Sequence, residues 1–288
     1  MAKTLEIPFV KYHGLGNDFL VALASDVPHG LPDFVRRILD RHTGAGGDGF
    51  IVVMEPAAKP HDARIRFFNA DGSEAEMSGN GIRCAAAFLI ERKSRKRNLE
   101  IETAAGLKSI ERMKGSSGKW TFRVRMGAPI LEAAKIPFKP SGVSSPVVRY
   151  RLRTHRGDLP VTVTSMGNPH CGVFVADFKK VDWQKLGREI EHNKHFPNRT
   201  NVEFIRFLSS NEIEVRFWER GVGHTMSSGT GSCAATVAAI LNGITDRRVR
   251  VRTEAGTLEV VWPEGGEVWL TGPVERVMRG KYYYSAAK

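Results

Sequence analysis

Cysteine is scarce in this chain: Cys84, Cys171 and Cys233 are the three in a length of 288. An odd number with no close pair argues against a disulfide framework and against a zinc site. Long apolar runs are missing, so no segment approaches the length needed to cross a bilayer. The opening residues, MAKTLEIPFVKYHG, hold one early lysine but neither a long apolar stretch nor a small-residue cleavage site, so a secretory signal is not expected. Metal-ligand spacings and dinucleotide fingerprints are also missing, because the Gly-rich segments lie in loops before single helices and not in a βαβ unit. Together these absences predict a soluble cytoplasmic protein without metal, cofactor or membrane.

The remaining composition is that of a folded chain. Hydrophobic residues make up 41%, enough for real cores, and the length suits one large domain or two ordinary ones. The net charge of +12 raises the question of a nucleic-acid partner. Its densest cluster, Glu91 to Arg97, follows a helical run, where cations favour a helix C-terminus. Two others, Arg149 to Arg153 and Arg247 to Arg252, alternate as the solvated face of a strand does. No zinc-finger, helix-turn-helix or RNA-recognition signature accompanies them, so a charged surface and no nucleic acid is the expectation.

Comparison of the chain with itself at an offset of 150 reveals an internal repeat. Arg66-Phe67-Phe68 falls on Arg216-Phe217-Trp218, and Ser78-Gly79-Asn80-Gly81 on Ser228-Gly229-Thr230-Gly231. Thr103-Ala104-Ala105-Gly106 falls on Thr253-Glu254-Ala255-Gly256, while Gly16-Asn17 meets Gly167-Asn168 one residue out of step. In each half, alternating runs (Ala63 to Phe68, Glu212 to Phe217) read as strands, and a polar Gly-rich loop follows. Segments Ile82 to Ile90 and Cys233 to Leu241 are apolar on nearly all faces, which predicts buried helices. Short strands resume at Ser109 to Glu111, Trp120 to Val124 and Leu258 to Trp262. The expected class is α+β, with two pseudo-symmetric domains, each a mostly antiparallel curled sheet around a central apolar helix. Their expected extents are 1–130, completed by 276–288, and 131–275. The Pro/Gly/Ser-rich piece from Pro137 to Pro146 is compatible with a loop inside the second half.

The two Ser-Gly-[Asn/Thr]-Gly segments are the candidate site. At a helix start the first N–H groups lack partners and the dipole adds positive charge, while glycine lets a ligand approach closely. A carboxylate or phosphate suits such a place. Two serine N-caps on core helices fit the pattern equally well. Asn69, Asp71, Ser73 and Glu74 before one segment, and Glu219, Arg220, His224 and Thr225 before the other, tip the balance toward ligand binding. An arginine offers a fixed fork for a carboxylate.

The segments HGLGNDF (13–19), RHTGAGGDG (41–49), FFNADGSEAEMSGNGIRC (67–84), GNPHCGVFV (167–175), RTNVEF (199–204) and FWERGVGHTMSSGTGSCAA (217–235) resemble the diaminopimelate epimerase family in order and over essentially the whole chain. The resemblance implies a pyridoxal-independent epimerase of lysine and peptidoglycan synthesis that interconverts LL- and meso-diaminopimelate. In that family two domains close on the substrate and two cysteines work on opposite faces of its α-carbon. Carried over residue by residue, it implies substrate binding by Asn17, Asn69, Asn168 and Asn201. It implies anion cradles at Gly79 with Asn80 and at Gly229 with Thr230, and a substrate-reading pair, Glu219 and Arg220. His170 matches a histidine that tunes a catalytic thiol. It is also compatible with a homodimer.

At the two catalytic positions this chain has Ser78 and Ser228. The remaining cysteines read as small buried apolar side chains. A hydroxyl is a far weaker acid than a thiol of pKa about 8.5, and a helix dipole worth about 0.3–2 kcal/mol cannot make an alkoxide. A serine base therefore needs a neighbouring proton acceptor, with His170, His224 and Glu219 as candidates. Three accounts stay open: a deliberate paired exchange that leaves the site inactive, a serine-assisted isomerase, and a scaffold whose chemistry is lost or changed. The last includes an amino-acid-binding homologue and an isomerase using Glu74, Glu76 or Glu219.

Overall fold

The computed structural model describes residues 4–92, 96–116, 118–140 and 142–285. Residues 93–95 of the basic cluster, residue 141 of the Pro/Gly/Ser-rich piece and residues 286–288 of the expected C-terminal completion lie outside that set. The chain divides into two units, Met1–Val124 with Gly272–Lys288, and Arg125–Thr271.

In the first unit β1 (Thr4–Gly14) and β2 (Asn17–Leu23) precede α1 (Leu31–Leu39), β3 (Gly49–Met54), β4 (Ala63–Asn69) and the short β5 (Glu74–Ala75). Then come α2 (Gly79–Arg92), β6 (Asn98–Thr103), β7 (Gly106–Ser116) and β8 (Lys119–Gly127). In the second unit the order is β9 (Val147–Thr154), β10 (Gly157–Ser165), β11 (Pro169–Phe174), α3 (Trp183–Glu191), β12 (Asn201–Ser209), β13 (Glu212–Glu219) and β14 (Gly223–Thr225). It continues with α4 (Gly229–Leu241), β15 (Arg248–Thr253) and β16 (Gly256–Val261). The last strand, β17 (Val268–Ser285), pairs its first residues with β16 and its later ones with β1.

The repeat is written in the strand pairing. In the first unit β1–β2 is antiparallel, β2–β3 parallel, β3–β4 and β4–β5 antiparallel, β4–β6 parallel and β6–β7 antiparallel. In the second, β10–β11, β11–β12, β12–β13, β13–β14, β13–β15 and β15–β16 repeat the same succession of directions. The fold is therefore two mostly antiparallel β units of like topology, each packed around one buried helix.

Why those helices are buried follows from their composition. From Gly79 to Phe88 every residue of α2 is buried, and so is Gly229 to Ala239 of α4 except Thr230. Alanines and glycines let strands approach from several sides, as an all-round apolar helix requires. Both helices begin earlier than the apolar pattern indicates, at Gly79 and Gly229 rather than Ile82 and Cys233. The Gly-rich tetrapeptide is thus cap and first turn rather than loop.

Two amphipathic helices complete the units and were not foreseen from the sequence. In α1, Phe34, Val35, Ile38 and Leu39 face inward, and Phe34 meets Phe50 and Tyr284 edge-on with centroids 5.3 Å apart. In α3, Leu186 and Ile190 pack inward, and the Asp182 side chain caps the helix by accepting from Lys185 N. The basic strands are faced with acids: Arg250 and Arg252 both bond Glu212, and Arg153 bonds Asp158. Among the described residues no helix is long and apolar enough to cross a membrane.

Candidate functional site

In each unit the sequence-predicted residues collect at one edge, where two parallel strands begin, a third ends and the buried helix starts. In the first unit Asn17 opens β2, Asn69 ends β4 and Ser78 precedes α2. Ser78 Oγ accepts from Gly81 N at 3.0 Å, so this half-buried hydroxyl is an N-cap. The Asn80 side chain donates to Asn17 Oδ1 at 3.2 Å, and Asn17 Nδ2 donates to Asp48 Oδ2 at 3.0 Å. Asp48 in turn accepts from Arg41, which also grips Asp18. Behind the helix start the wholly buried Arg83 donates to Gly79 O at 2.8 Å and to Asn80 Oδ1. Asn69 stands apart from this network: it is exposed and its amide donates to Ser73 Oγ within the β4–β5 turn.

In the second unit Ser228 is 5% exposed and its Oγ accepts from Gly231 N at 3.3 Å. Its hydroxyl also donates to Glu219 Oε2 at 2.9 Å, while Thr225 Oγ1 donates to the other oxygen of the same carboxylate. The β13–β14 hairpin, with Trp218 opposite His224, brings Glu219 back to the start of α4. Ser78 has no comparable carboxylate partner among the described residues. Arg220, exposed, follows Glu219; its backbone N–H donates to Asn201 Oδ1 at 3.0 Å, and Asn201 Nδ2 donates to Pro169 O at 3.0 Å. The buried Glu191 holds the turn beyond it, accepting from Gly221 N and Trp218 Nε1 at 2.8 Å each.

His170 and Asn201 are neighbours across the parallel β11–β12 ladder. The imidazole is buried, with Nδ1 2.7 Å from Glu203 Oε1 and Nε2 2.9 Å from Asn168 Oδ1. Sequence alone does not single out Glu203, although a carboxylate inside Asn201-Val202-Glu203-Phe204 interrupts an apolar strand. Burial pushes its carboxyl above the usual carboxylate range, His170 opposes the shift and Glu219 adds to it. An added Cβ on Gly231 would lie 3.0 Å from Glu203 Oε1 and 2.9 Å from Phe217, so the first turn of α4 has room only for glycine there.

Of the proton acceptors considered for a serine, Glu219 is the one bonded to a hydroxyl. His224 lies in β14, exposed, bonded to Glu254 and edge-on to Trp183. Glu74 is held by Arg66, whose hydrogen bonds keep its carboxyl below the usual range. The three cysteines are wholly buried, Cys84 and Cys233 inside α2 and α4. Burial pushes the Cys84 thiol up to about 12 and the Cys171 thiol well above its ordinary value. Among the described residues no three His, Cys, Asp or Glu side chains are grouped to hold a metal ion.

The amides of Gly79 and Asn80, and of Gly229 and Thr230, find no acceptor among the described residues. Each helix start can therefore receive an anionic group, with a hydroxyl at its rim.

Comparison with known proteins matches residues 9–132 and 162–282 to the family described as diaminopimelate epimerase. A diaminopimelate epimerase of Pelotomaculum thermopropionicum is 45% identical over 281 residues, covering 96% of this chain and 99% of that protein. One of Desulforudis audaxviator is 46% identical over 280 residues, covering 95% and 98%. Solved structures share the fold at low identity. A hydroxyproline epimerase of Agrobacterium vitis aligns with TM-score 0.71 and 14% identity, over 99% of this chain and 95% of that one. A methylitaconate-delta-isomerase aligns with TM-score 0.65 and 17% identity, over 98% and 96%.

Proposed function

Because this chain belongs to the diaminopimelate epimerase family, we propose that it binds diaminopimelate by one zwitterionic amino-acid end, with Ser78 and Ser228 at the two acid–base positions. The family is one of amino-acid epimerases, isomerases of lysine biosynthesis, and the proposed form is a cytoplasmic protein that takes the amino acid as its partner, pairs as a homodimer and needs no cofactor. Arg220 is the fork for the substrate carboxylate, and the free amides at the helix starts supply further donors. Asn17, Asn168 and Asn201, each fixed by hydrogen bonds, present polar groups of set orientation. Asn69 takes the same part at the end of β4.

Inversion at an α-carbon needs a proton acceptor on one face and a donor on the other, and each unit carries one serine for the purpose. The proton leaves the α-carbon as its bonding pair stays behind in a carbanion, and a proton enters from the opposite face. Each pKa unit by which a base falls short costs about 1.4 kcal/mol. A hydroxyl falls short of a thiol by several units, far more than a helix dipole of about 0.3–2 kcal/mol restores. At Ser228 a carboxylate is already in place to take the hydroxyl proton. At Ser78 none is among the described residues, so the proposed chain binds well and turns over slowly.

The observation that carries this reading is the Glu219–Ser228 hydrogen bond at the start of α4, beside Arg220. It also favours a second reading, in which Glu219 itself removes the proton and Ser228 only orients it. Titration calorimetry with meso-diaminopimelate tests the binding claim. The parent chain is expected to bind, and Arg220→Ala to lose at least about tenfold in affinity, the scale of one lost charge-assisted pair. Equal affinity for the two chains contradicts the assignment of Arg220.

A further inference from the structure

Each half of the repeat is a control for the other. In the first unit Phe67 faces Ile51 across β3–β4, and in the second Phe217 faces Glu203 across β12–β13. Phe19 pairs with Gly49 where His170 pairs with Asn201. Phe19 and Ile51 therefore hold the places that His170 and Glu203 hold in the other unit. The first pair is apolar, at 6% and 0% exposure; the second is an acid and a base at 1% each. One unit thus folds with no ionisable group at these positions, and burying a carboxyl beside an imidazole seldom stabilises more than apolar packing does. Glu203 Oε2 has no hydrogen-bond partner among the described residues, which marks a group kept for something other than stability.

A second asymmetry lies beside the first. Asn17 and Asn168 also match, but they are held by different means. Asn17 is fixed by Asp48 and Asn80. At the equivalent places the second unit has Thr200 and Thr230, and Asn168 is held instead through its carbonyl by His170 Nε2 at 2.9 Å. That bond needs a hydrogen on Nε2. With Nδ1 facing a carboxyl group at 2.7 Å, two neutral arrangements of the pair satisfy the Asn168 bond: a Glu203 protonated on Oε1 and donating to a neutral ring, or an imidazolium facing a carboxylate. Both put a hydrogen on Nε2. A ring protonated only on Nδ1 turns the Nε2 lone pair toward the Asn168 carbonyl oxygen at 2.9 Å, and beside a carboxylate it is also a net negative charge buried near Glu219. Burial, with Glu219 adding to it, pushes the Glu203 carboxyl up and disfavours that state.

We propose that Glu203 is a positioning residue of the amino-acid site, which keeps a hydrogen on His170 Nε2, pins the Asn168 carbonyl and so leaves the Asn168 amide N–H groups to bind the ligand. The inference rests on the reading of Asn168 as a substrate residue, and it assigns to Glu203 a part that acts through His170. The unit without this pair fixes Asn17 by other means: Asn80 donates to its carbonyl and Asp48 accepts from its amide.

The test is Glu203→Ile, which installs the residue the first unit already uses, beside Glu203→Gln, whose amide N–H can still donate to Nδ1. Nitrogen-15 NMR of the imidazole is expected to show a hydrogen on His170 Nε2 in the parent and in Glu203→Gln, and its loss in Glu203→Ile. Affinity for meso-diaminopimelate is expected to fall at least about tenfold in Glu203→Ile and to stay within about threefold in Glu203→Gln, while the unfolding midpoint of Glu203→Ile stays level or rises. If Glu203→Ile does not fold, the paired exchange His170→Phe with Glu203→Ile copies the apolar pair of the first unit and is expected to fold without binding. A hydrogen kept on Nε2 in Glu203→Ile, or unchanged affinity, overturns the inference. If the parent chain does not bind the diamino diacid, the proposed function fails, and the Nε2 signal together with the Asn168 amide resonances alone decides the part played by Glu203.

Discussion

The two serines occupy matched places yet do unequal work, and truncating each to alanine measures the difference. Ser78 Oγ accepts from Gly81 N at 3.0 Å and is half-buried, so Ser78→Ala removes a helix cap, worth about 1 kcal/mol. Ser228 is also a cap, with Gly231 N at 3.3 Å, but its hydroxyl in addition donates to the Glu219 carboxylate at 2.9 Å. A hydrogen bond to a charged group contributes about 1.5–3 kcal/mol. Glu219 is half-buried and keeps Thr225 as a donor, so the lower figure applies. Ser228→Ala should therefore cost about 2.5 kcal/mol, some 1.5 more than Ser78→Ala, or about a tenfold difference in opening equilibrium. Native-state hydrogen exchange reads this unit by unit, because the amides of α2 and α4 report the openings of the cores they occupy. Equal losses, or a larger loss at α2, refute the claim that Glu219 is bonded to Ser228 in solution.

Two further predictions test the surroundings. Because all three cysteines are buried, a thiol reagent should label none of them in the native chain within minutes at neutral pH and all three in denaturant; prompt native labelling contradicts the packing of α2, α4 and β11. Burial alone raises the Asp18 carboxyl, but hydrogen bonds from Arg41 and Lys11 overcome it and hold it at about 2. Its folded value lies below its unfolded one of about 3.9, so its stabilising contribution is present above that value and is lost as pH falls toward 2. Asp18→Asn should remove this share of the acid sensitivity from α2 exchange, and an unchanged acid profile would contradict it.

Much of this arrangement is legible in the chain itself. The repeat is visible because a cradle of serine and glycines and an Arg-Phe-aromatic strand recur in one register; the β4–β6 and β6–β7 ladders keep that register in β13–β15 and β15–β16, while β11 and β12 stand one and two residues out of it. The central helices are legible from apolar residues on every face. Their true starts are not, because glycines that look like loop become helical once a serine caps them. Helices α1 and α3 carry readable signals, the inward spacing of Phe34, Val35, Ile38 and Leu39 and the capping Asp182, yet short amphipathic pieces are easily passed over between strands. Glu203 is the instructive case. A lone acid in a strand says nothing of its partner until the parallel ladder sets β12 beside His170, and 33 residues of sequence separate the two. Likewise the bond between Glu219 and Ser228 depends on a hairpin folding back, which no spacing rule names.

The central claim is an amino-acid site of the epimerase family whose acid–base positions are hydroxyls. Its most direct test is α-proton exchange: LL-diaminopimelate is incubated in D2O with the parent chain and with the Ser78→Cys, Ser228→Cys double variant, and deuterium at the α-carbon is followed by mass spectrometry. The account predicts slow or no incorporation with the parent and rapid incorporation with the double variant. Absence of exchange in both contradicts it, because a site intact except for two sulfurs must work once they are supplied.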